Sequence, residues 1–380
     1  MPSFWSLPEG KWPVATLLII VTSVVVTAMA SFFPSATYHA FYSSGWEIWW
    51  ERKWPGLLGS AFVHGGPTHL IFNCYWLWIF GRVLEIRLGT ARFLALFLAT
   101  SWASAIAELS WSGNPGIGLS GVVYAFFGFL LIGRSRDPKL GTALSKDIVI
   151  LFLVWLVVCF ALTYTKVWLI GNAAHVAGLL VGIVIGFAWL RPADLRAKLA
   201  LVVVALISFV PLFWAPWQEL WLAKAAYDAL TAHNTERAWP LLESVLAKNP
   251  KNSWALKYKI QILLPQHKYK DEVDSLAAAL NLEPDNLEYL NQLAWVRATC
   301  PDAQVRNGVQ AVAYASRLCE IDQWKNAAYL DTLAAAHAEA GDFEEAIKWE
   351  TKALTVAVNS RSEIQRHLEL FRNRQPIREA

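Results

Sequence analysis

The sequence predicts an all-α protein in which a polytopic membrane helix bundle is followed by a soluble α-helical repeat domain. Three observations lead to this fold class: apolar stretches in the first 217 residues, a change in charge density near residue 217, and a regular spacing of turn prolines beyond it. The chain has 380 residues, of which 56% are hydrophobic, and this is too apolar for one soluble globular domain. We therefore expect a membrane domain over residues 1–217 and a soluble domain over residues 218–380.

Seven apolar stretches are candidate membrane spans. They lie near residues 13–33, 69–86, 91–110, 119–133, 147–165, 169–190 and 199–217. Several are shorter than the roughly 20 residues that a helix needs to cross a bilayer. The first is expected to be a retained helix, because it lacks a convincing signal-peptide cleavage site and more spans follow it. The last contains Pro211 and Pro216, so a broken or partial seventh span remains open.

Charged residues predict the orientation of the bundle. Residues 1–217 carry 14 Lys/Arg and 8 Asp/Glu, whereas residues 218–380 carry 19 and 22. With alternating connections, 11 basic residues flank the spans on one side, and only Arg52, Lys53 and Lys166 lie on the other. This asymmetry predicts a cytoplasmic N-terminus in an inner or plasma membrane and, after seven spans, an extracytoplasmic second domain. The net charge of +3 gives no reason to expect a nucleic acid partner.

A repeat with a longer period appears from residue 218 onward. Pro250 and Pro284 stand in similar turn sequences 34 residues apart, which is the tetratricopeptide period. The segment 327–358 has the pattern of two amphipathic helices joined at Gly341, and the unit before it contains extra residues around Cys300. We predict four degenerate tetratricopeptide-like repeats, with a generic helical bundle as the alternative. Stacked repeats form a groove, so a peptide or protein ligand is expected there.

Reactive side chains inside apolar stretches point to chemistry, because polar groups are costly in a bilayer. Ser120 opens a short span that ends at Arg134, and His175 lies near the start of a span that ends at Arg191. At 1.5 Å per helical residue, the serine lies about 21 Å and the histidine about 24 Å from those arginines. The two groups therefore reach similar depths, where His175 can act as general base for Ser120. No carboxylate is placed to complete a triad, so a dyad is predicted.

Glycines and hydrogen-bond donors complete this predicted site. Gly178, Gly182 and Gly186 repeat on the helix face that carries His175 and permit close helix contact. His69 and Asn73 lie four residues apart on one helix face, and each can donate to a developing oxyanion. Ser120, at a helix N-terminus, adds its own backbone N–H. The alternative for His69 and Asn73 is that they only brace the preceding loop.

Several segments together resemble the rhomboid family of intramembrane serine proteases. The resemblance covers residues 1 to about 190 and rests on four motifs: His64, His69 and Asn73 in their spacing, the segment 81–89, Gly118-Leu119-Ser120-Gly121, and Ala174-His175-Val176-Ala177-Gly178. It implies a six-span fold with one further span here. It also implies a catalytic dyad of Ser120 and His175, an oxyanion site with His69 and Asn73, and Tyr124 packed on the catalytic imidazole.

The resemblance implies cleavage of transmembrane protein substrates within the lipid bilayer, without a metal or an organic cofactor. No His-Glu-x-x-His motif is present, and the cysteines show no metal-ligand spacing. Gly118 and His64 are expected to support the site, with His64 tethering the first loop. One departure concerns that loop, where a Trp-Arg pair of many members is replaced by Trp54-Pro55. The competing function is a noncatalytic membrane adaptor that anchors a peptide-binding repeat domain.

Overall fold

The computed structural model describes residues 12–135, 137–358 and 360–378, and these residues form helices and turns without a β-strand. The all-α fold class is thus confirmed. The chain divides into two compact units, Met1–Lys224 and Ala225–Ala380. Lys11 and Arg136, two of the basic residues that predict the orientation, lie outside the described residues.

Twelve α-helices are described in the first unit before the segment that leads into the second. They are α1 (Val14–Phe32), α2 (Pro34–Phe41), α3 (Gly45–Trp50), α4 (Gly56–Gly59), α5 (Pro67–Leu88), α6 (Thr90–Ser112), α7 (Ser120–Gly133), α8 (Pro138–Gly141), α9 (Lys146–Tyr164), α10 (Asn172–Leu190), α11 (Leu195–Ile207) and α12 (Val210–Phe213). The predicted apolar stretches correspond to α1, α5, α6, α7, α9, α10 and the α11–α12 pair. The short helices α2, α3 and α4 build the connection between α1 and α5.

Five of the described segments are long and apolar enough to cross a membrane: α1, α6, α9, α10 and the segment Leu195–Phe213, which comprises α11 and α12. The protein is therefore an integral membrane protein. The helix α7 has only 14 residues, too few to cross a bilayer core of about 30 Å. Its short length is accommodated because it is surrounded by other helices, with Phe126 and Phe127 fully buried.

Close backbone contact joins α7 to α10. A Cβ atom at Gly178 would lie 2.1 Å from the carbonyl oxygen of Gly121, and one at Gly182 would lie 1.9 Å from that of Ala125. Such distances are far below van der Waals contact, so both positions require glycine. At Gly186 the nearest atoms are 3.3 Å away, and the packing is looser. The glycine repeat thus brings the two helices together most tightly along the first half of α7, at Gly178 and Gly182.

The α11–α12 segment runs from the end of the bundle where α10 finishes to the end where α7 begins. Its helix is interrupted at Ser208 and resumes with α12. Near its far end, the Trp49 indole N–H donates to the Pro211 carbonyl at 2.9 Å, and the Trp217 indole N–H donates to the Ser110 carbonyl at 2.8 Å. Because Ser110 belongs to the last turn of α6, the segment traverses the bundle.

The departure at Trp54-Pro55 has a structural counterpart. The ring of Trp54 packs edge-on against Phe213 of α12, with ring centroids 5.7 Å apart. The first loop is therefore held by the segment that follows the sixth apolar stretch.

The second unit contains helical repeats. Its helices, with the helix that leads into it, are α13 (Glu219–Thr231), α14 (Thr235–Lys248), α15 (Ser253–Leu263), α16 (Tyr269–Leu282), α17 (Leu287–Thr299), α18 (Gly308–Ile321), α19 (Ala327–Glu339), α20 (Phe343–Val356) and α21 (Arg361–Arg372). The first helices of successive pairs begin 34, 34 and 40 residues apart, at Glu219, Ser253, Leu287 and Ala327. The longer interval contains the extra residues after Thr299.

Candidate active site

Ser120 and His175 meet at the ends of two tightly packed helices. Ser120 is the first residue of α7, and His175 lies in the first turn of α10. The His175 Nε2 atom is 2.8 Å from the Ser120 Oγ atom, a normal hydrogen-bond distance. The imidazole is 3% exposed, so it is shielded from bulk water. This pair can transfer a proton from the hydroxyl to the ring.

The orientation of the His175 ring is set by an aromatic neighbour. The Tyr124 ring packs on it with centroids 4.7 Å apart and an angle of 31° between the planes. Tyr124 is itself held, because its hydroxyl donates to the Phe152 carbonyl at 3.1 Å. The imidazole therefore lies between a fixed ring and the serine that it contacts.

Two buried acids of the first unit accept hydrogen bonds at the starts of helices. The Glu108 carboxylate accepts a hydrogen bond at 3.1 Å from the backbone N–H of Ala174, at the start of the helix that carries His175. The buried Glu85 carboxylate accepts from the backbone N–H groups of Ala15 and Thr16, at 2.9 and 2.8 Å, at the start of α1. Among the described residues, the Nδ1 atom of His175 has no hydrogen-bond partner. Within the described part of the chain, the His175 ring therefore contacts Ser120 without a carboxylate hydrogen-bonded to its other nitrogen.

Gly118 brings the loop before Ser120 against two side chains of α5. Its φ of +99° is a conformation that glycine adopts without strain. A Cβ atom there would lie 2.7 Å from His69 Cε1 and 3.4 Å from Asn73 Nδ2. Asn73 is 1% exposed, and its Nδ2 donor is unpaired within the described part of the chain. A buried donor without a partner, close to a serine hydroxyl, is suited to receive a negative oxygen.

A hydrogen bond from the first loop assigns the tautomer of His69. The Gly65 backbone N–H donates to His69 Nδ1 at 3.4 Å, so the proton of the neutral ring lies on Nε2. The Nε2 atom is also one of the atoms nearest to Gly118. His69 can therefore donate towards the space beside Ser120.

His64 holds the first loop against the residue that precedes the serine. Its Nδ1 atom is 3.2 Å from the Phe62 carbonyl oxygen, and its Nε2 atom accepts from the Leu119 backbone N–H at 3.4 Å. The ring is 4% exposed. This is a tether of the kind expected for a supporting residue, and it fixes the turn from which α7 begins.

A cavity of about 660 Å³ opens onto these groups. Its polar wall contains Ser120, His175, His69 and Asn73, and apolar side chains including Trp168 line the rest. The volume is within the range of ligand-binding pockets. The cavity can therefore accommodate part of a ligand around the Ser120 hydroxyl.

Two further aromatic residues of the cavity escaped sequence reasoning. Phe72 of α5 and Trp155 of α9 line it, and their rings approach each other with centroids 5.9 Å apart. In the sequence they belong to uninterrupted apolar stretches, where no periodicity separates a cavity-facing side chain from one that faces lipid. The sequence did contain one signal for Phe72: it lies three residues after His69 and therefore on the same helix face as that histidine. No such signal marks Trp155.

Residues 49–192 match the family model described as Rhomboid domain. The matched segment contains every residue of the candidate site, from His64 to His175. The helix α1, the α11–α12 segment and the second unit lie outside it.

Proposed function

We propose that the rhomboid domain of this chain is an intramembrane serine endopeptidase that hydrolyses peptide bonds in or near transmembrane segments. One observation carries the proposal: Ser120 Oγ and His175 Nε2 lie 2.8 Å apart at the wall of a cavity that also holds an unpaired amide donor. A serine that served only in helix packing would need neither a hydrogen bond to a histidine nor unpaired donors in the same cavity.

The reaction would proceed in two acyl-transfer steps. Ser120 Oγ attacks the scissile carbonyl while its proton moves to His175 Nε2, and the imidazolium then gives that proton to the leaving amine. Water attacks the acyl-enzyme next, with His175 again accepting a proton and returning it to Ser120. The products are a carboxylate and a free amine, and the enzyme is restored.

The negative charge of the tetrahedral intermediate would be stabilised by three donors. These are the backbone N–H of Ser120 at the start of α7, the Nε2–H of His69 and the amide of Asn73. The positions of His69 and Asn73 around Gly118 support this role. With three donors, loss of one leaves the other two in place.

We also propose an orientation and a role for the second unit. The charge asymmetry supports a cytoplasmic N-terminus, and the α11–α12 segment supports an exit at the end of the bundle where Ser120 lies. The helical repeats, with their 34-residue interval, are tetratricopeptide-like and would hold an extended segment of a substrate or partner. The repeat domain then raises the local concentration of a substrate without changing the chemistry.

Covalent labelling tests the enzymatic proposal. A fluorophosphonate probe should modify the wild-type chain and cleavage of a transmembrane substrate should follow, whereas Ser120→Ala should show neither. The matched control is Ser110→Ala, which changes a serine near the end of α6 outside the candidate dyad. Absence of labelling and cleavage in a folded wild-type protein would favour the noncatalytic adaptor.

A further inference from the structure

Three ionisable side chains from consecutive helices meet inside the second unit. Asp331 lies on α19, Glu350 on α20 and His367 on α21. Glu350 and His367 are fully buried, and Asp331 is 9% exposed. Two acids and an imidazole are rarely brought together in a protein interior, because burying a charge is costly unless it is compensated.

The geometry of this cluster is compact. The His367 Nδ1 atom lies 2.8 Å from Asp331 Oδ1 and 3.9 Å from Glu350 Oε1. One ligand atom from each residue lies within 4.8 Å of the other two. Ligands bound tetrahedrally to Zn²⁺ at 2.0–2.2 Å are about 3.4 Å apart. Side-chain shifts of about 1 Å would therefore bring all three atoms onto one ion.

The carboxyl group of Glu350 lacks a hydrogen-bond partner among the described residues. Both of its carboxylate oxygens are buried, and neither accepts a hydrogen bond from the residues that the structure describes. A fully buried carboxyl that points into a cluster of two other ligands and lacks a donor indicates that something else satisfies it.

We propose that Asp331, Glu350 and His367 form a binding site for one divalent transition metal ion, with Zn²⁺ as the preferred ion. One imidazole and two carboxylates suit Zn²⁺, and water would complete the tetrahedron. The small exposed fraction of Asp331 offers a route for the ion. The sequence contains no indication of this site, because the three residues are 19 and 17 positions apart and form no local motif.

The ion would act as a clip between the last helices. The helix α21 packs through Ile364 and Phe371, both buried, and contributes His367 to the cluster. A metal bond to His367 would tie this helix to α19 and α20, and it would convert an uncompensated acid into a ligand. The metal should therefore stabilise the C-terminal end of the repeat array.

The test uses the full-length protein in detergent, purified with a tag that contains no histidine and stripped of metal by a chelator. Zn²⁺ is then titrated calorimetrically. One ion per chain should bind, and Asp331→Asn, Glu350→Gln and His367→Gln should each weaken binding by roughly 100-fold, since even indirect partners of a metal ligand typically contribute 10–100-fold. His337→Gln is the matched control, because this histidine of α19 lies 3.9 Å from a surface acid, Asp342.

A second readout separates metal binding from a purely structural role. Glu350→Gln keeps the shape of the side chain and removes its charge, so the metal-free variant should fold at least as stably as the wild type. Zn²⁺ should slow amide hydrogen exchange in α21 of the wild type and leave Glu350→Gln unchanged. Equal Zn²⁺ affinity in wild type and Glu350→Gln, or no protection of α21 by Zn²⁺, would overturn the proposal.

Discussion

The backbone of Gly182 packs directly on Ala125: a Cβ atom at position 182 would lie 1.9 Å from the Ala125 carbonyl oxygen. This contact sets the distance between α7 and α10. Because Ser120 and His175 stand at the starts of these two helices, their hydrogen bond depends on that distance. The contact between Ser120 and His175 thus depends on helix packing about two turns away from them.

Substitution of Gly182 by Ala should therefore impair catalysis without touching the reactive groups. The added methyl group must push the helices apart, and a misplacement of about 1 Å can cost on the order of 10²-fold in rate. We expect kcat/KM for a transmembrane substrate to fall by at least about tenfold. Gly186→Ala is the control, since its nearest neighbours are 3.3 Å away. Equal effects of both variants would contradict the packing argument.

Gly118→Ala should disturb the predicted oxyanion site. The new Cβ would collide with the His69 ring at 2.7 Å and force a side chain into a φ of +99°. Cleavage should fall strongly, while the fluorophosphonate probe still reaches Ser120. Gly65→Ala provides the comparison, because its φ is not positive and its nearest neighbour is Ile117 at 3.7 Å. If Gly65→Ala is as harmful, the glycine at 118 has no special role.

Asn73→Ala should weaken cleavage less than Ser120→Ala or His175→Ala. Loss of one oxyanion donor typically costs about 10²–10³ in rate, and the Ser120 N–H and His69 remain in the variant. The expected loss lies in kcat and not in KM, because the charge that Asn73 meets exists only in the transition state. Complete inactivation of a stably folded Asn73→Ala protein would instead assign Asn73 another essential role.

The meeting of Ser120 and His175 could be anticipated from the sequence, because distances along helices fix depth and glycines indicate which faces touch. The hydrogen-bond partners of the buried acids could not be anticipated in this way. Glu108 accepts a hydrogen bond from Ala174, 66 residues further along the chain, and no local pattern encodes such a pair. The same holds for the Asp331–His367 contact, whose residues come from different helices of the second unit. Side-chain partners across a helical bundle depend on rotation and tilt, which hydrophobic periodicity leaves undetermined.

A buried acid makes the stability of the second unit depend on pH. Glu272 of α16 is 2% exposed, and burial raises its pKa. The folded state therefore retains a proton that the unfolded chain releases near pH 4.3, and stability should decline as the pH rises above that value. Glu272→Gln should slow hydrogen exchange in α16 at pH 7. This difference from the wild type should disappear below about pH 4.

The exposed Asp274 of the same helix is the control for this pH effect. Asp274→Asn should leave exchange in α16 unchanged at both pH values. If Glu272→Gln slows exchange in α16 equally at low pH, the ionisation of Glu272 is not the cause of the difference.

A truncation should separate the proposed protease activity of the first unit from the proposed substrate binding by the repeats. The cut must leave the first unit intact. The Gln218 amide donates to the Ser110 and Trp111 carbonyls, and Lys224 lies over the ring of Trp50, so residues up to 224 belong to that unit. We therefore place the cut after Lys224, seven residues beyond the change in charge density.

Deletion of residues 225–380 should preserve cleavage of a short model transmembrane substrate and weaken cleavage of the native partner. The reason is that catalysis needs only the cavity groups, whereas the repeats would supply effective concentration and thus act on KM. The argument requires the repeats to lie on the same side of the membrane as the opening above Ser120. Externally added protease should digest them in intact spheroplasts of a bacterial host. Digestion only after lysis would place them in the cytoplasm and reject the docking role. Equal losses of cleavage on the model substrate and the native partner would also reject it.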